Sequence, residues 1–168
     1  MDTGLLIVRV VFGLVMVGHG SQKLFGWFGG YGLAGTGGFF ESVGFRPGRF
    51  FAALASAGEL FGGGLTALGF LGPIGPALML SVMIVAAGSV HWHHGLFAAS
   101  NGIEVPLLYG AAGAALALTG PGQYALDALI GLTEVWTPAV AWTVLALSVL
   151  GGFANLAIRR PAPAAATA

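Results

Sequence analysis

The sequence predicts an all-α, polytopic transmembrane helix bundle of five spans. Three observations predict it. Of 168 residues 57% are hydrophobic and 7% are charged, where a soluble domain carries about 25% charged residues. Mean hydropathy is +0.90. Five apolar stretches alternate with breaks rich in glycine, proline and tryptophan, and most of them are long enough to cross a hydrocarbon core of about 30 Å.

The first stretch, Leu5–Phe28, carries Arg9, His19 and Lys23. At about 100° per residue Lys23 lies about 40° from Arg9 and His19 about 80° from it, so the three share one face. The preceding Met-Asp-Thr-Gly places an acid where a cleavable signal needs a base, and Arg9 interrupts the apolar run, which predicts a retained first helix. Gly29–Arg49 is a Gly-rich connection whose Phe39-Phe40 pair suits a short segment at headgroup level. Phe50–Leu71 forms the second span, with Glu59 near its middle and a small-residue stripe of Ala55, Gly58, Gly62 and Gly69. Such a stripe lets a second helix approach closely, within one chain or across a homo-oligomer.

Gly72-Pro73 and Pro76 mark the turn into the third span, Ile74–Trp92, which closes on His91, His93 and His94. Glu104 opens a shorter fourth span that ends at Gly120-Pro121-Gly122; its length of about 22 Å of helix draws Glu104 towards the interface or into a polar recess. A connection bearing Asp127 and Glu134 leads to the fifth span, Trp136–Ile158, stopped by Arg159-Arg160. Asp127 suits a cap beside the Gly-Pro-Gly break. The tail 161–168 reads as Pro/Ala spacer. With five spans Lys23, Arg46, Arg49, Arg159 and Arg160 fall on one side, and the positive-inside bias predicts an external N-terminus and a cytoplasmic C-terminus in the inner (plasma) membrane.

Net charge is zero, and no basic run interleaved with aromatics points to a nucleic-acid partner. There are no cysteines, which excludes disulfides, thiolate metal sites and dithiol chemistry.

Several ordered motifs resemble the DoxX family of membrane proteins. They are Arg9 with Gly13; His19-Gly20-Ser21-Gln22-Lys23-Leu24-Phe25-Gly26; Gly35-Thr36 with Phe39-Phe40 and Gly44; and Glu59-Leu60-Phe61-Gly62-Gly63 with Leu68-Gly69. His91 with Gly95 and Phe97, Asn101-Gly102-Ile103-Glu104-Val105-Pro106-Leu107, and Gly120-Pro121-Gly122 with Leu126-Asp127 complete the set. The resemblance implies a DoxX-like four-helix membrane domain over 1–128, which leaves 129–160 as an additional C-terminal transmembrane helix. It also implies a redox setting, either as a relative of a quinone-reducing thiosulfate oxidoreductase subunit or as a membrane partner of soluble redox enzymes such as a superoxide dismutase or a sulfurtransferase. It supplies no catalytic residues.

Charges at bilayer depth must pair or line a polar cavity. One reading gathers Arg9, His19, Lys23, Glu59 and Glu104 around a polar pocket, where Arg9, His19, Lys23 and Tyr109 meet a quinone head group and Glu59 or Glu104 relays protons. The other is an internal ion-pair lattice that fixes helix register. For His19 the plainer role is a carbonyl contact or headgroup anchor, and for Tyr109 ordinary packing. His91, His93 and His94 suggest metal ligation closed by Glu104, and His19 with His91 a haem; interface anchoring explains the cluster better, and neither metal nor haem is expected. Three functions follow: a subunit of a quinone-linked oxidoreductase system, a non-catalytic scaffold that recruits a soluble redox enzyme, or a small-solute or lipid carrier.

Overall fold

Glycine and proline punctuation cuts the apolar chain into seven α-helices in the computed structural model, which describes residues 1–160. The expected spacer at 161–168 lies outside the described residues. Helix α1 (Asp2–Phe25) ends where Gly26 turns left-handed at φ 76°, three residues before the apolar run does. Helix α2 (Gly32–Ser42) lies in the expected headgroup connection and carries Phe39 and Phe40. Helix α3 (Gly48–Leu68) is stopped by Gly69 at φ 64°, a left-handed conformation in which glycine carries no Cβ penalty.

Helix α4 (Ile74–Ala86) continues through a π turn at Ala87–His91 and a tighter turn at Trp92–His94. Helix α5 (Glu104–Thr119) and the single turn α6 (Leu126–Leu129) follow. Helix α7 (Pro138–Ala157) begins at Thr137, whose hydroxyl accepts the Val140 N–H at 3.4 Å, with Pro138 in the first turn where no amide donor is needed. Four helical stretches, Asp2–Phe25, Gly48–Leu68, Ile74–His94 and Pro138–Ala157, are long and apolar enough to cross a membrane; Glu104–Thr119 is shorter.

Close approach of backbones sets the register. A Cβ on Gly13 would stand 2.6 Å from the Gly63 carbonyl oxygen, and one on Gly20 would stand 2.9 Å from that of Ser56. Antiparallel α1 and α3 therefore meet along a glycine seam. The stripe expected on the second span serves the next helix: Gly62 faces Leu78 and Gly75, and Gly58 faces Val82, all on α4. Gly69 does not belong to that stripe, because its place is the helix cap. Met16, Met79 and Met83 form one core cluster, with Phe12, Val82 and Tyr109 against it. Ala77, Ala117 and Leu145 form a second, which seats α7 on α4 and α5.

The two ends of the bundle differ in charge. Arg160 N–H donates to the Gly44 carbonyl at 2.8 Å, so α7 finishes beside the α2–α3 connection with Lys23, Arg46 and Arg49. At the opposite end the Asp2 carboxylate accepts the Gln123 N–H at 3.0 Å, next to Arg9, Asp127 and Glu134.

Candidate functional site

Lys23, in the last turn of α1, pairs with Glu59 in the middle of α3. The Lys23 side chain points back along its helix, as helical side chains do, and so reaches a carboxylate well inside the bundle. Glu59 is 1% exposed and Lys23 31%. The pair thus joins a buried acid to a base that touches its surroundings. Glu59 Oε1 takes the ammonium, while the buried Oε2 has no hydrogen-bond partner among the described residues.

Lys23 also lines a cavity of about 540 Å³ bounded by α2, α3, α4 and α7. Of its polar wall residues, Lys23, Ser89, His91 and Asn155 lie toward the basic end of the bundle, and Ser81 lies within α4, one turn from Leu78. From there apolar wall residues run toward Phe61 and Leu78, nearer the middle of their helices. Phe39, Phe40, Phe45 and Phe51 form an aromatic flank, with successive rings Phe40–Phe45 and Phe45–Phe51 at 5.6 and 5.3 Å. The cavity is mostly apolar, with the Lys23 ammonium and the His91 ring at one end, while the Ser89 hydroxyl is already donated to the Val85 carbonyl at 2.6 Å. His91 sits on the π turn with its Nδ1–H donating to the Asn101 carbonyl at 2.7 Å. π turns recur at functional sites because the extra residue re-aims side chains.

The remaining predicted residues do not join this cavity. Arg9 is 3% exposed and donates to the Ala67 and Tyr124 carbonyls, each at 2.5 Å. The register that sets Gly13 against Gly63 sets Arg9 against Ala67, eight residues or about 12 Å of helix from Glu59. Arg9 is a cap for the carbonyl end of α3, a favourable place for a cation. Glu104 is likewise local: its Oε2 accepts the Ala98 N–H at 2.7 Å and steadies the 95–104 loop. The expected convergence of Arg9, Glu59 and Glu104 is therefore corrected; they occupy three separate places, and only Glu59 meets a basic side chain, that of Lys23.

His19 is exposed on α1, edge-on to Tyr109 with ring centroids 6.3 Å apart, and Tyr109 packs on Phe12 at 5.0 Å. Neither lines the cavity. His94 Nδ1–H donates to the Val90 carbonyl at 3.0 Å, and no group of three or more His, Asp or Glu able to hold a metal occurs among the described residues. Asp127 is wholly buried and accepts the N–H groups of Leu71 at 3.0 Å and Gly72 at 2.6 Å. It caps the left-handed α3–α4 turn rather than the Gly-Pro-Gly break beside it in sequence.

Sequence reasoning missed the aromatic flank and the contribution of α7. One signal was present: Phe39, Phe40, Phe45, Phe50 and Phe51 crowd five of the chain's twelve phenylalanines into one short stretch.

Among known protein families, the model described as DoxX matches residues 4–92, more than half of the chain. The match ends at Trp92, so it takes in Lys23, Glu59 and His91 but neither Glu104 nor α7. No curated protein and no solved structure matches. With four helices of bilayer-crossing length, the match makes this an integral membrane protein.

Proposed function

This chain belongs to the DoxX family, and from that premise we propose that it is the membrane subunit of a quinone-linked redox system, with the quinone in the cavity beside Lys23. The observation that carries this reading is the cavity's polarity gradient. A quinone is a ring with two carbonyl acceptors on an isoprenoid tail, and the wall offers the Lys23 ammonium as a donor at one end and mostly apolar surface along the rest. Lys23 donates to one carbonyl. His91, whose Nδ1 proton is committed to Asn101, presents Nε2 as an acceptor for the hydroxyl of the reduced form.

Reduction of a quinone takes up two electrons and two protons. The electrons come from a soluble partner, and the Lys23–Glu59 pair passes both protons, one at a time, with the 31% exposed Lys23 side chain reloaded from its surroundings between the two transfers. Arg9, His19, Glu104 and Tyr109, first considered for the same pocket, take structural roles in this reading. Residues 1–128 form the family-like unit and 129–160 the added helix. The excess of Lys and Arg at one end sets that end in the cytoplasm of the inner membrane.

A second reading, a non-catalytic scaffold for a soluble redox enzyme, draws on the exposed Arg46, Arg49 and Arg160 at the same end. Quinone titration of the purified protein in lipid nanodiscs separates the two. The quinone reading expects saturable binding weakened about tenfold or more by Lys23→Gln, the loss of one charged hydrogen bond. Absence of binding, or binding that Lys23→Gln leaves unchanged, rejects it.

A further inference from the structure

Arg159 sits just past the end of α7, outside the family-matched residues, and without lining the cavity its side chain ties together two segments that border it. Nε–H donates to the Val43 carbonyl at 2.9 Å, and a terminal N–H donates to the Gly88 carbonyl at 3.3 Å. The guanidinium also lies over the Phe45 ring, 5.8 Å from its centroid, where the ring's negative face attracts a cation. Val43 and Phe45 are cavity wall, and Gly88 belongs to the π turn that presents Ser89 and His91 to the cavity. The neighbouring backbone reinforces the link through the Arg160 N–H on the Gly44 carbonyl, and Leu156 packs on Gly88.

We propose that Arg159 is a specificity-determining positioning residue: by clasping the α2–α3 connection to the π turn it holds a roof over the polar end of the cavity, which shuts out the aqueous phase there and leaves lateral entry from the bilayer as the route for a ligand. The consequence is selection for tailed amphiphiles over water-soluble head groups. A tailed molecule partitions into the bilayer and enters from the side, whereas a tailless one has to pass the roof. The residue carrying this selection follows α7 and lies outside the family-matched residues 4–92.

The identity of the ligand rests on the quinone reading, but the roof itself does not, and the absence of cysteine allows a test free of any ligand. Ser89→Cys places one thiol on the cavity wall beneath the clasp. In nanodiscs, a charged, membrane-impermeant maleimide labels this thiol slowly. Adding Arg159→Ala or Arg159→Gln speeds labelling about tenfold or more, because local opening scales with the lost bonds, while a lipid-soluble maleimide labels all three proteins alike. Equal rates with the charged reagent, with and without Arg159, overturn the roof. Arg159→Gln serves where Arg159→Ala does not yield a monodisperse protein.

Binding is the second readout. Arg159→Gln speeds association of a tailless benzoquinone relative to that of a tailed one, and an unchanged ratio of association rates overturns the selection. If the labelling rates change and no quinone binds any variant, the roof stands and the quinone reading falls.

Discussion

Removing Lys23 costs this protein more than neutralising Glu59, although the two form one ion pair. Glu59 is 1% exposed and its Oε2 already lacks a partner, whereas Lys23 is 31% exposed and reaches the cavity. Lys23→Met leaves a buried, uncompensated carboxylate, a loss of about 3–5 kcal/mol. Glu59→Gln leaves an ammonium able to turn toward water or headgroups, so the loss falls to about 1–2 kcal/mol. The double variant restores neutrality and recovers about 2 kcal/mol of the Lys23→Met loss, the coupling expected of groups in contact. Reversible unfolding by SDS titration from mixed micelles reads these differences as free energies. Glu59→Gln matching or exceeding Lys23→Met, or a double variant no better than Lys23→Met, refutes the assignment of the buried charge to Glu59.

Two further outcomes follow from packing and capping. Asp127→Ala strips the acceptor from two N–H groups of the α3–α4 turn and costs about 2–5 kcal/mol in the same titration, while Asp127→Asn, which keeps one oxygen, costs about half as much. Gly63→Ala drives a methyl to 2.5 Å from the Gly13 carbonyl and costs about 1–3 kcal/mol; Gly64→Ala, with nothing within 4 Å, is neutral or stabilising by up to about 1 kcal/mol, and equal effects at the two glycines contradict the seam.

The fold was legible because lipid imposes it: apolar length and the breaks at Gly72-Pro73 and Gly120-Pro121-Gly122 locate the spans without any tertiary knowledge, whereas Gly26 and Gly69, placed inside spans by apolar length alone, are helix ends. The partnering of the charges was not. Arg9 and Lys23 share a helical face, but they stand fourteen residues, about 21 Å, apart along α1. Angle alone therefore suggested a common pocket that axial distance rules out. Which carbonyls Arg9 meets depends on the α1–α3 register, which the seam of Gly13, Gly20 and Gly63 sets; against 30 glycines in the chain that seam has no local mark. Asp127 does not cap the segment beside the Gly-Pro-Gly break as its position suggests, because its partners Leu71 and Gly72 lie more than fifty residues away. The cavity was hidden for the same reason, since its walls come from five separate helices and Arg159 ties down segments beside it from beyond the family-like region.

Photolabelling in native-like bilayers with an azido-quinone that carries a full isoprenoid tail, followed by peptide mapping, puts the placement of the quinone to the most direct test. Label on the peptides holding Phe39–Phe61 and Leu78–His91, competed away by unlabelled quinone and reduced in Lys23→Gln, is the result predicted. Label confined to the His19–Tyr109 side of the bundle, or none that unlabelled quinone displaces, contradicts it.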